Sequence, residues 1–299
     1  MPPAGTPELK PSALVAVVGR ANAGKSTLVN ALVGEKVSIV SPVAQTTRAL
    51  VRAILTEPRG QLVFLDTPGV HRATYDLGKV MNRTARASVE GADMVLLVVD
   101  AAQPPREEDL GWIRRLGKEA VPVVAALNQC DRNTDHAAAF RAAWTGPAVP
   151  VWVEVSGLTG QGTGALLEAL FRLAPPGPPL FPDDVVTDYP RKLIIADTVR
   201  EKYFQVLKEE LPHALAVEIE SLEEGPGGWI AEGTVFVQKN SQKGIVLGAK
   251  GRLLKRVQAA AEKELADVYG RPVTLSLWVK VDPNWSRNYW MLKRLGYAE

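Results

Sequence analysis

The fold of this chain is decided by the stretch Gly19-Arg20-Ala21-Asn22-Ala23-Gly24-Lys25-Ser26, which is followed by Thr27. It has the form G-x-x-x-x-G-K-[ST] and stands between an apolar run at residues 14–18 and a helix-like segment. In such a loop, backbone N–H groups point inward at phosphate oxygens, and the helix N-terminus adds its positive dipole end. We expect Lys25 to reach the β- and γ-phosphates of a nucleotide, and the Ser26 hydroxyl to hold Mg²⁺.

Around this loop, apolar runs alternate with helix-like segments. Continuous apolar strands that alternate with helices indicate a parallel sheet covered on both faces, with ligands at the carboxyl ends of the strands. Each run ends in glycine or in a polar residue, which predicts a site along that edge. The runs are at residues 14–18, 62–65, 94–99, 121–127 and 149–155.

Composition limits the possible classes of protein. The chain has 299 residues, of which 46% are hydrophobic and 23% charged, and its formal net charge is +2. This excludes global disorder and a basic coat over the whole surface, and the length favours two domains. The single cysteine, Cys130, and the lack of an apolar run of about 18 residues predict an intracellular protein that does not span a membrane.

A proline-rich stretch divides the chain. Residues 174–179 read Ala-Pro-Pro-Gly-Pro-Pro, which favours a stiff linker, although a surface loop within one domain is the alternative. Beyond it, the pattern predicts three alternating strands with segregated helices, which is typical of a small α+β domain. The predicted organisation is a flexible tail at residues 1–11, a mostly parallel α/β P-loop domain at 12–174, a linker at 175–190 and a second domain at 191–299.

Two later motifs indicate which nucleotide binds. Asp66-Thr67-Pro68-Gly69 fits D-x-x-G, in which Asp66 holds Mg²⁺ through water and the Gly69 amide senses the γ-phosphate. Asn128-Gln129-Cys130-Asp131 stands where N-K-x-D is expected, and its last carboxylate can accept from two guanine donors that adenine lacks. Ser156-Gly157 falls where an S-A motif usually supports the base through a backbone amide. In this order, the motifs predict GTP rather than ATP.

The chain departs from these motifs at three positions. Gln129 replaces the lysine whose stem packs over the base, and Gly157 replaces alanine, so we expect weaker guanine binding with selectivity kept. Val70 stands where Ras-like proteins use a glutamine to orient water. Asn22 is therefore a candidate ligand for a monovalent cation such as K⁺, the alternative being that it only forms the turn. In the segment 45–48, the expected first switch, Thr47 is the preferred additional Mg²⁺ ligand.

The second domain contains a G-x-x-G loop, Gly248-Ala249-Lys250-Gly251, between an apolar turn at 245–247 and a long helix. In KH domains such a loop clamps the backbone of about four single-stranded nucleotides. Between Gly233 and Ala261 there are six basic residues and no acidic one. The predicted RNA-binding residues are the loop itself and the cations beside it: Gly248, Ala249, Lys250, Gly251, Arg252, Lys255 and Lys243.

The aromatic side chains of the tail allow two interpretations. Trp285, Tyr289 and Trp290 fall within a segment predicted to be helical at 285–295, and Tyr297 follows it. Nucleic-acid bases stack on such rings, but aromatic residues at helical spacing more often belong to a core. The spacing of cysteine and histidine residues predicts no zinc site.

From about Ser12 to Tyr297, the chain resembles the Era family of ribosome-associated GTPases. The resemblance is carried by residues 19–26, 45–48 and 66–71 and by the G-x-x-G loop. It implies a type II KH domain, binding to the 3′ end of 16S rRNA, and a role in assembly of the 30S subunit. It also implies GTP and GDP as ligands, RNA release upon hydrolysis, and peripheral contact with the inner membrane of the cell.

The predicted activity is slow hydrolysis of GTP to GDP and phosphate by a monomeric cytoplasmic switch, with Lys25, Asn22, Thr47 and Gly69 as its catalytic residues. One alternative is an RNA-binding module whose nucleotide domain barely hydrolyses GTP, as Val70 permits. A GTPase of tRNA modification shares the Asn22 and threonine features but lacks a KH-like half. An ATPase is the remaining alternative.

Overall fold

The computed structural model describes residues 9–41, 43, 46–69 and 76–298. They divide into two compact units. The first is formed by the described parts of 1–38, 50–71 and 83–188, and the second by those of 39–49, 72–82 and 189–299. The second unit therefore takes two segments that the sequence assigned to the P-loop domain at 12–174.

The first unit contains one sheet with helices on both faces. The strand order is β2-β3-β1-β4-β5-β6, in which β2 is antiparallel to β3 and the others are parallel. The strands are β1 (Lys10–Val18), β2 (Val51–Glu57), β3 (Gly60–Asp66), β4 (Met94–Asp100), β5 (Val123–Asn128), β6 (Val151–Glu154) and β7 (Pro176–Gly177). The helices are α1 (Lys25–Val33), α2 (Asp76–Glu90), α3 (Glu107–Leu116), α4 (Ala137–Ala143) and α5 (Thr163–Leu173), and of α2 only the part from Arg83 onward belongs to this unit.

The strands β1 and β4 are buried on both faces because helices cover the sheet from either side. Leu28 of α1 and Leu170 of α5 are fully buried against one face. Ile113 of α3 and Phe140 of α4 are fully buried against the other, together with the last turns of α2. The predicted P-loop α/β fold is confirmed, and its carboxyl edge carries the loops that follow β1, β3, β4, β5 and β6.

The predicted tail and linker are corrected by the structure. β1 begins at Lys10, and its first residues pair with β7, so the strand starts within the predicted tail at 1–11. The segment after β7 lies along β2 and β3 rather than free of them: buried Gln61 accepts from the Leu180 and Phe181 amides at 2.7 and 2.9 Å. Proline has no N–H, so the non-proline amides of this segment hold it to the first unit, which extends through Asp188.

The second unit is a three-stranded sheet with helices. The strand order is β10-β9-β8, with β9 parallel to β10 and antiparallel to β8. Tyr203, Val257 and Leu277 belong to its core. The elements are α6 (Arg191–Val206), β8 (Leu215–Gly225), β9 (Gly228–Val237), α7 (Asn240–Leu247), a 3₁₀ turn (Ala249–Gly251), α8 (Arg252–Tyr269), β10 (Val273–Val281) and α9 (Tyr289–Arg294).

The apolar turn predicted at 245–247 is the last turn of α7. The last helix begins at Tyr289 rather than at residue 285, because the Asn288 side chain accepts from the Met291 amide at 3.2 Å and caps it there. Within the described ranges, no helix has both the length and the apolar character that a membrane span requires.

Candidate functional sites

The loop at residues 19–26, called the phosphate loop below, joins β1 to α1. Lys25 is buried, and its Nζ donates to the carbonyl oxygens of Gly19 at 3.2 Å and Arg20 at 3.1 Å. Burial lowers the pKa of Lys25 to about 8, although the charge of Asp66 opposes the shift. Gly24 supplies no side-chain cap to α1, so this helix N-terminus can present backbone N–H groups to an anion.

Ser26 and Asp66 form an oxygen pair beside this loop. The Ser26 hydroxyl donates to Asp66 Oδ2 at 2.7 Å. Burial raises the pKa of Asp66, while the Ser26 hydrogen bond and the charge of Lys25 favour its carboxylate. Asp66 Oδ1 has no hydrogen-bond partner within 3.5 Å among the described residues. A hydroxyl and a carboxylate with an unused oxygen fit a hard divalent cation, which prefers oxygen ligands.

The segment 66–69 lies against the phosphate loop. The Thr67 hydroxyl donates to the Val17 carbonyl at 2.7 Å and fixes the turn that contains Pro68. A Cβ built on Gly69 would lie 2.6 Å from Ala21 Cα and 3.0 Å from Lys25 Nζ, which shows how close the two segments are. The structure thus brings these predicted site residues together, while Val70 and His71 lie outside the described residues.

Asn128 ties three loops of this edge together. Its Nδ2 donates to the Ala23 carbonyl at 2.8 Å, and its Oδ1 accepts from the Gly157 amide at 3.0 Å. The Gly157 amide, which the sequence assigned to the base, is therefore committed to Asn128. Asp131 is exposed and, in the part of the chain described, has neither a hydrogen bond nor an ion pair. Ser156 is buried and accepts from the Thr159 amide at 3.1 Å.

The glycine at position 157 is required by a close approach. A Cβ built there would lie 2.8 Å from both the N and Cα atoms of Leu28, which are backbone atoms of α1. Gly157→Ala, although it restores the usual residue of the motif, should therefore displace α1 or the loop. We expect a loss of about 1–3 kcal/mol in the free energy of unfolding, measured by urea denaturation.

Gly164→Ala is the matched control for this substitution. Nothing lies within 4 Å of a Cβ built on Gly164, which is inside α5. Alanine there should leave stability unchanged or raise it by about 0.5–1 kcal/mol. Equal stability of the Gly157→Ala variant and the unsubstituted protein would contradict the predicted clash.

A buried ion-pair cluster at this edge was missed by sequence reasoning. Arg20 Nη2 lies 3.1 Å from Asp100 Oδ2, and Arg20 Nε lies 3.1 Å from Asp109 Oδ2. Burial raises the pKa of Asp109, opposed by its hydrogen bond with the Arg106 amide and by Arg20. The available signals were Asp100 at the end of an apolar strand and Asp109 in the first turn of a helix. The cluster holds Arg20 of the phosphate loop against the end of β4 and the first turn of α3.

The structure describes only part of the segment 45–48, the expected first switch. Gln45 lies outside the described residues. Thr46 and Arg48 are buried within the second unit, where Arg200 Nη2 donates to the Thr46 carbonyl at 2.6 Å. Thr47 belongs to the same unit and is half-buried, and its role as a metal ligand stays a prediction.

The G-x-x-G loop joins α7 to α8. Gly248 has φ 68°, and a Cβ there would lie 2.8 Å from Leu253 Cβ, so this position requires glycine. Lys250 and Gly251 are also left-handed, with φ 54° and 75°. Ala249 and Lys250 are exposed at the tip, and Gly251 supplies no side-chain cap to α8. The loop therefore presents a helix N-terminus with a cation beside it.

Basic side chains surround this loop. Lys250, Arg252, Lys255 and Arg256 are exposed, and Lys243 is half-buried. Among the described residues, none of the five has an ion-pair partner, and Arg252 Nε donates to the Ala249 carbonyl at 3.3 Å. Cations without acidic partners next to a helix N-terminus form a surface suited to a phosphate backbone.

Comparisons with known proteins agree with both sites. The family model described as 50S ribosome-binding GTPase matches residues 14–129, and the KH domain model matches residues 210–286. GTPase Era of Geobacter sp. strain M21 is 40% identical over 291 residues, which are 96% of this chain and 97% of that protein. GTPase Era of Rippkaea orientalis is 37% identical, over 97% of this chain and 94% of that protein.

Two solved structures are similar over the whole fold. One is a variant of Aquifex aeolicus Era bound to GDP·AlF₄⁻, with a TM-score of 0.89 and 35% identity over 97% of this chain and 100% of that one. The other is Era in complex with MgGDPNP and nucleotides 1506–1542 of 16S ribosomal RNA, with a TM-score of 0.90 at the same identity and coverage. The resemblance noted in the sequence is confirmed: this chain belongs to the Era family of GTPases.

Proposed function

We propose that this protein is a GTP-hydrolysing switch that binds the 3′ end of 16S rRNA through its KH domain and assists assembly of the 30S subunit. The observation that carries the nucleotide half is the set of contacts made by Asn128, which joins the phosphate loop to the loop after β6. Slow turnover, a cytoplasmic location, peripheral contact with the inner membrane and a monomeric state are parts of the same proposal.

The nucleotide site is proposed to take GTP or GDP with Mg²⁺. The related structures contain GDP·AlF₄⁻ and MgGDPNP, respectively. When bound, Mg²⁺ neutralises phosphate charge, and Ser26 and Asp66 provide the oxygens for it. Lys25 holds its ammonium beside the phosphates, and the Gly69 amide marks the position of the last phosphate. The exposed carboxylate of Asp131 accepts from the two guanine donors, which selects guanine over adenine.

The remaining positions of the phosphate loop and the first switch have proposed roles. The backbone amides of the loop face the phosphate oxygens. Thr47 is proposed to complete the coordination of Mg²⁺ in the GTP state. The positions proposed to supply loop amides are Gly19, Arg20, Ala21, Asn22, Ala23, Gly24, Lys25, Ser26 and Thr27.

Asn22 is proposed to bind K⁺ and so to stimulate hydrolysis. Its φ of 63° agrees with the turn-forming interpretation, which asparagine and glycine both satisfy. Asn22→Gly keeps this backbone conformation and removes the side-chain oxygen. We expect the unsubstituted protein to hydrolyse GTP about tenfold faster in K⁺ than in Na⁺, which corresponds to a lowering of the activation free energy by about 1.4 kcal/mol. In Asn22→Gly the rates in the two salts should be equal.

Turnover and GDP affinity should be measured together for this test. Unchanged GDP affinity in Asn22→Gly would show that the phosphate loop keeps its shape. A variant that keeps the full K⁺ stimulation would contradict the cation role and leave asparagine as a turn residue. Negligible turnover in both salts, with and without RNA, would favour the alternative of a nearly non-hydrolysing module.

The RNA half of the proposal rests on the G-x-x-G loop and its cations. The related complex contains a fragment of 16S rRNA. Of the tail aromatics, Trp285 and Tyr297 are buried, and Trp285 Nε1 donates to the Ala214 carbonyl at 3.1 Å, so these two belong to the core. Tyr289 and Trp290 are exposed, at 51% and 72%, and remain able to stack on bases.

Ala249→Asp with Lys250→Asp tests the RNA site. Both positions are exposed, and aspartate tolerates the left-handed backbone of Lys250. With a non-hydrolysable GTP analogue bound, we expect at least about tenfold weaker binding to an oligonucleotide of the 16S rRNA 3′ end, because carboxylates replace a cation at the phosphates. Binding should be measured at fixed salt beside a scrambled oligonucleotide, and again with GDP.

The matched control is Ala260→Asp with Lys263→Asp. These residues are exposed on α8, several turns from the loop, and make the same change of charge. Equal loss in both double variants would show a general electrostatic effect rather than a site. The proposed switch would be contradicted if the protein bound the 16S rRNA oligonucleotide and the scrambled one equally well, and with the same affinity whether the GTP analogue or GDP was bound.

A further inference from the structure

Gln129, which stands where the motif has lysine, contacts the phosphate loop in this structure. Its backbone is left-handed, with φ 66°. Its Nε2 donates to the carbonyl oxygen of Asn22 at 3.2 Å, and its Oε1 accepts from Arg132 Nη1 at 2.6 Å. The neutral amide thus bridges a cation on one side and a loop carbonyl on the other.

Arg132 is held in position for this contact. Its amide donates to the Gln129 carbonyl at 3.0 Å, which closes a turn around Asp131. Its guanidinium lies 3.9 Å from Asp100 Oδ2, and the same carboxylate oxygen is 3.1 Å from Arg20 Nη2. Polar contacts therefore run from Asn22 through Gln129, Arg132 and Asp100 back to Arg20, and both ends of this chain of contacts are in the phosphate loop.

The two contacts of Gln129 differ in strength. A hydrogen bond from a guanidinium to an amide oxygen is charge-assisted and stronger than one between neutral groups. It orients the Gln129 amide so that the NH₂ group faces Asn22, whereas an unpaired glutamine at this half-exposed position has several rotamers. A lysine at position 129 needs no such help, because its ammonium can donate to a carbonyl in any rotation.

We propose that Gln129 and Arg132 are a positioning pair that holds the phosphate loop at Asn22, and that Arg132 replaces the charge of the missing lysine. This rests on the proposed binding of guanine nucleotides. Neither residue is assigned contact with the reacting atoms. Their effect is on how well the loop is shaped for phosphates, so it falls on nucleotide affinity rather than on the chemical step.

A double-mutant cycle tests the pair. The dissociation constant of a fluorescent GDP analogue is measured for the unsubstituted protein, Arg132→Ala, Gln129→Lys, and the double variant, at fixed Mg²⁺ and salt. We expect Arg132→Ala to raise the Kd about five- to tenfold, less than the loss of a buried charge-assisted hydrogen bond, because the Arg132 side chain is half exposed to solvent. In the Gln129→Lys background the same substitution should have no effect or tighten binding, because the lysine and Arg132 repel.

Two further variants separate positioning from general effects. Arg132→Lys retains a donor for Gln129 Oε1 and should recover most of the affinity. Arg114→Ala removes an equally exposed arginine, which pairs with Glu107 in α3, and should leave the Kd unchanged. For Arg132→Ala, kcat should stay close to that of the unsubstituted protein while KM rises.

Failure of the Gln129–Arg132 pair and failure of the proposed function give different results. A Kd of Arg132→Ala within twofold of the unsubstituted protein, or an equal loss in both backgrounds, would overturn the pair while the proposed function stands. An unsubstituted protein that does not prefer GDP to ADP would instead overturn the proposed function, and with it the reason for the pair.

Discussion

Arg48→Ala should lower the free energy of unfolding of the second unit by about 3 kcal/mol or more. Arg48 is fully buried, with 1% exposure, and donates to the Leu215 carbonyl at 2.8 Å and the Pro212 carbonyl at 3.2 Å. Its guanidinium also lies 5.5 Å from the centre of the Trp285 ring. Alanine would leave these carbonyls without donors and open a cavity beside the ring.

One opposing effect reduces this loss. Burial and, to a smaller extent, the nearby charge of Arg200 lower the pKa of Arg48 to about 10, so removing Arg48 also relieves repulsion between two buried cations. The unpaired carbonyls and the cavity outweigh this relief, since each buried unsatisfied group costs about 1–3 kcal/mol. Arg48→Met keeps the apolar volume and should restore part of the loss.

Urea denaturation measures the effect, with Arg294→Ala as the control. Arg294 is exposed and pairs with Glu218 in the same unit, so its loss should cost at most about 1 kcal/mol. If the Arg48→Ala variant were as stable as the Arg294→Ala variant, the buried contacts of Arg48 would make no net contribution to the free energy of unfolding.

Most of the first unit could be predicted because its central strands are continuous apolar runs. β2 was missed because Val51–Glu57 mixes exposed and buried residues as an edge strand does, and its antiparallel pairing with β3 has no sequence signature. The segment 175–190 was taken for a linker because its prolines suggest stiffness. What holds it is buried Gln61, a contact over a long sequence separation that no local pattern reveals.

Short motifs named the residues of the candidate nucleotide site one by one, and the roles assigned to them stay predictions. The partners that hold the loops of this site could not be named in the same way. Asp109 and Arg132 stand in ordinary helix and turn positions, and their contacts with Arg20 and Gln129 depend on tertiary packing. Arg48 shows the same limit in the second unit, since an arginine in a predicted switch gives no sign of being a core residue.

Lys25→Ala should reduce the rate of GTP hydrolysis by about 10²–10³. Its ammonium is buried, and it is held across the phosphate loop by the carbonyls of Gly19 and Arg20, where it can stabilise charge that develops on phosphate. Lys118→Ala, an exposed lysine of the same unit, is the matched control and should leave turnover unchanged. If Lys25→Ala and the control variant had comparable turnover, Lys25 would have no role in GTP hydrolysis.

The lowered pKa of Lys25 predicts how affinity depends on pH. Without nucleotide, burial brings this pKa to about 8, so the ammonium is increasingly lost above that pH. Phosphate favours the ammonium, so binding takes up a proton and the Kd for GDP should rise by up to about tenfold per pH unit above 8. Below pH 7 the lysine is already charged and this dependence should vanish. The control is Lys25→Met, for which the Kd for GDP is measured from pH 7 to 9. Any pH dependence that comes from ionisation of the guanine base is still present in this variant. A Kd that rises equally in this variant and in the unsubstituted protein would show that another group titrates.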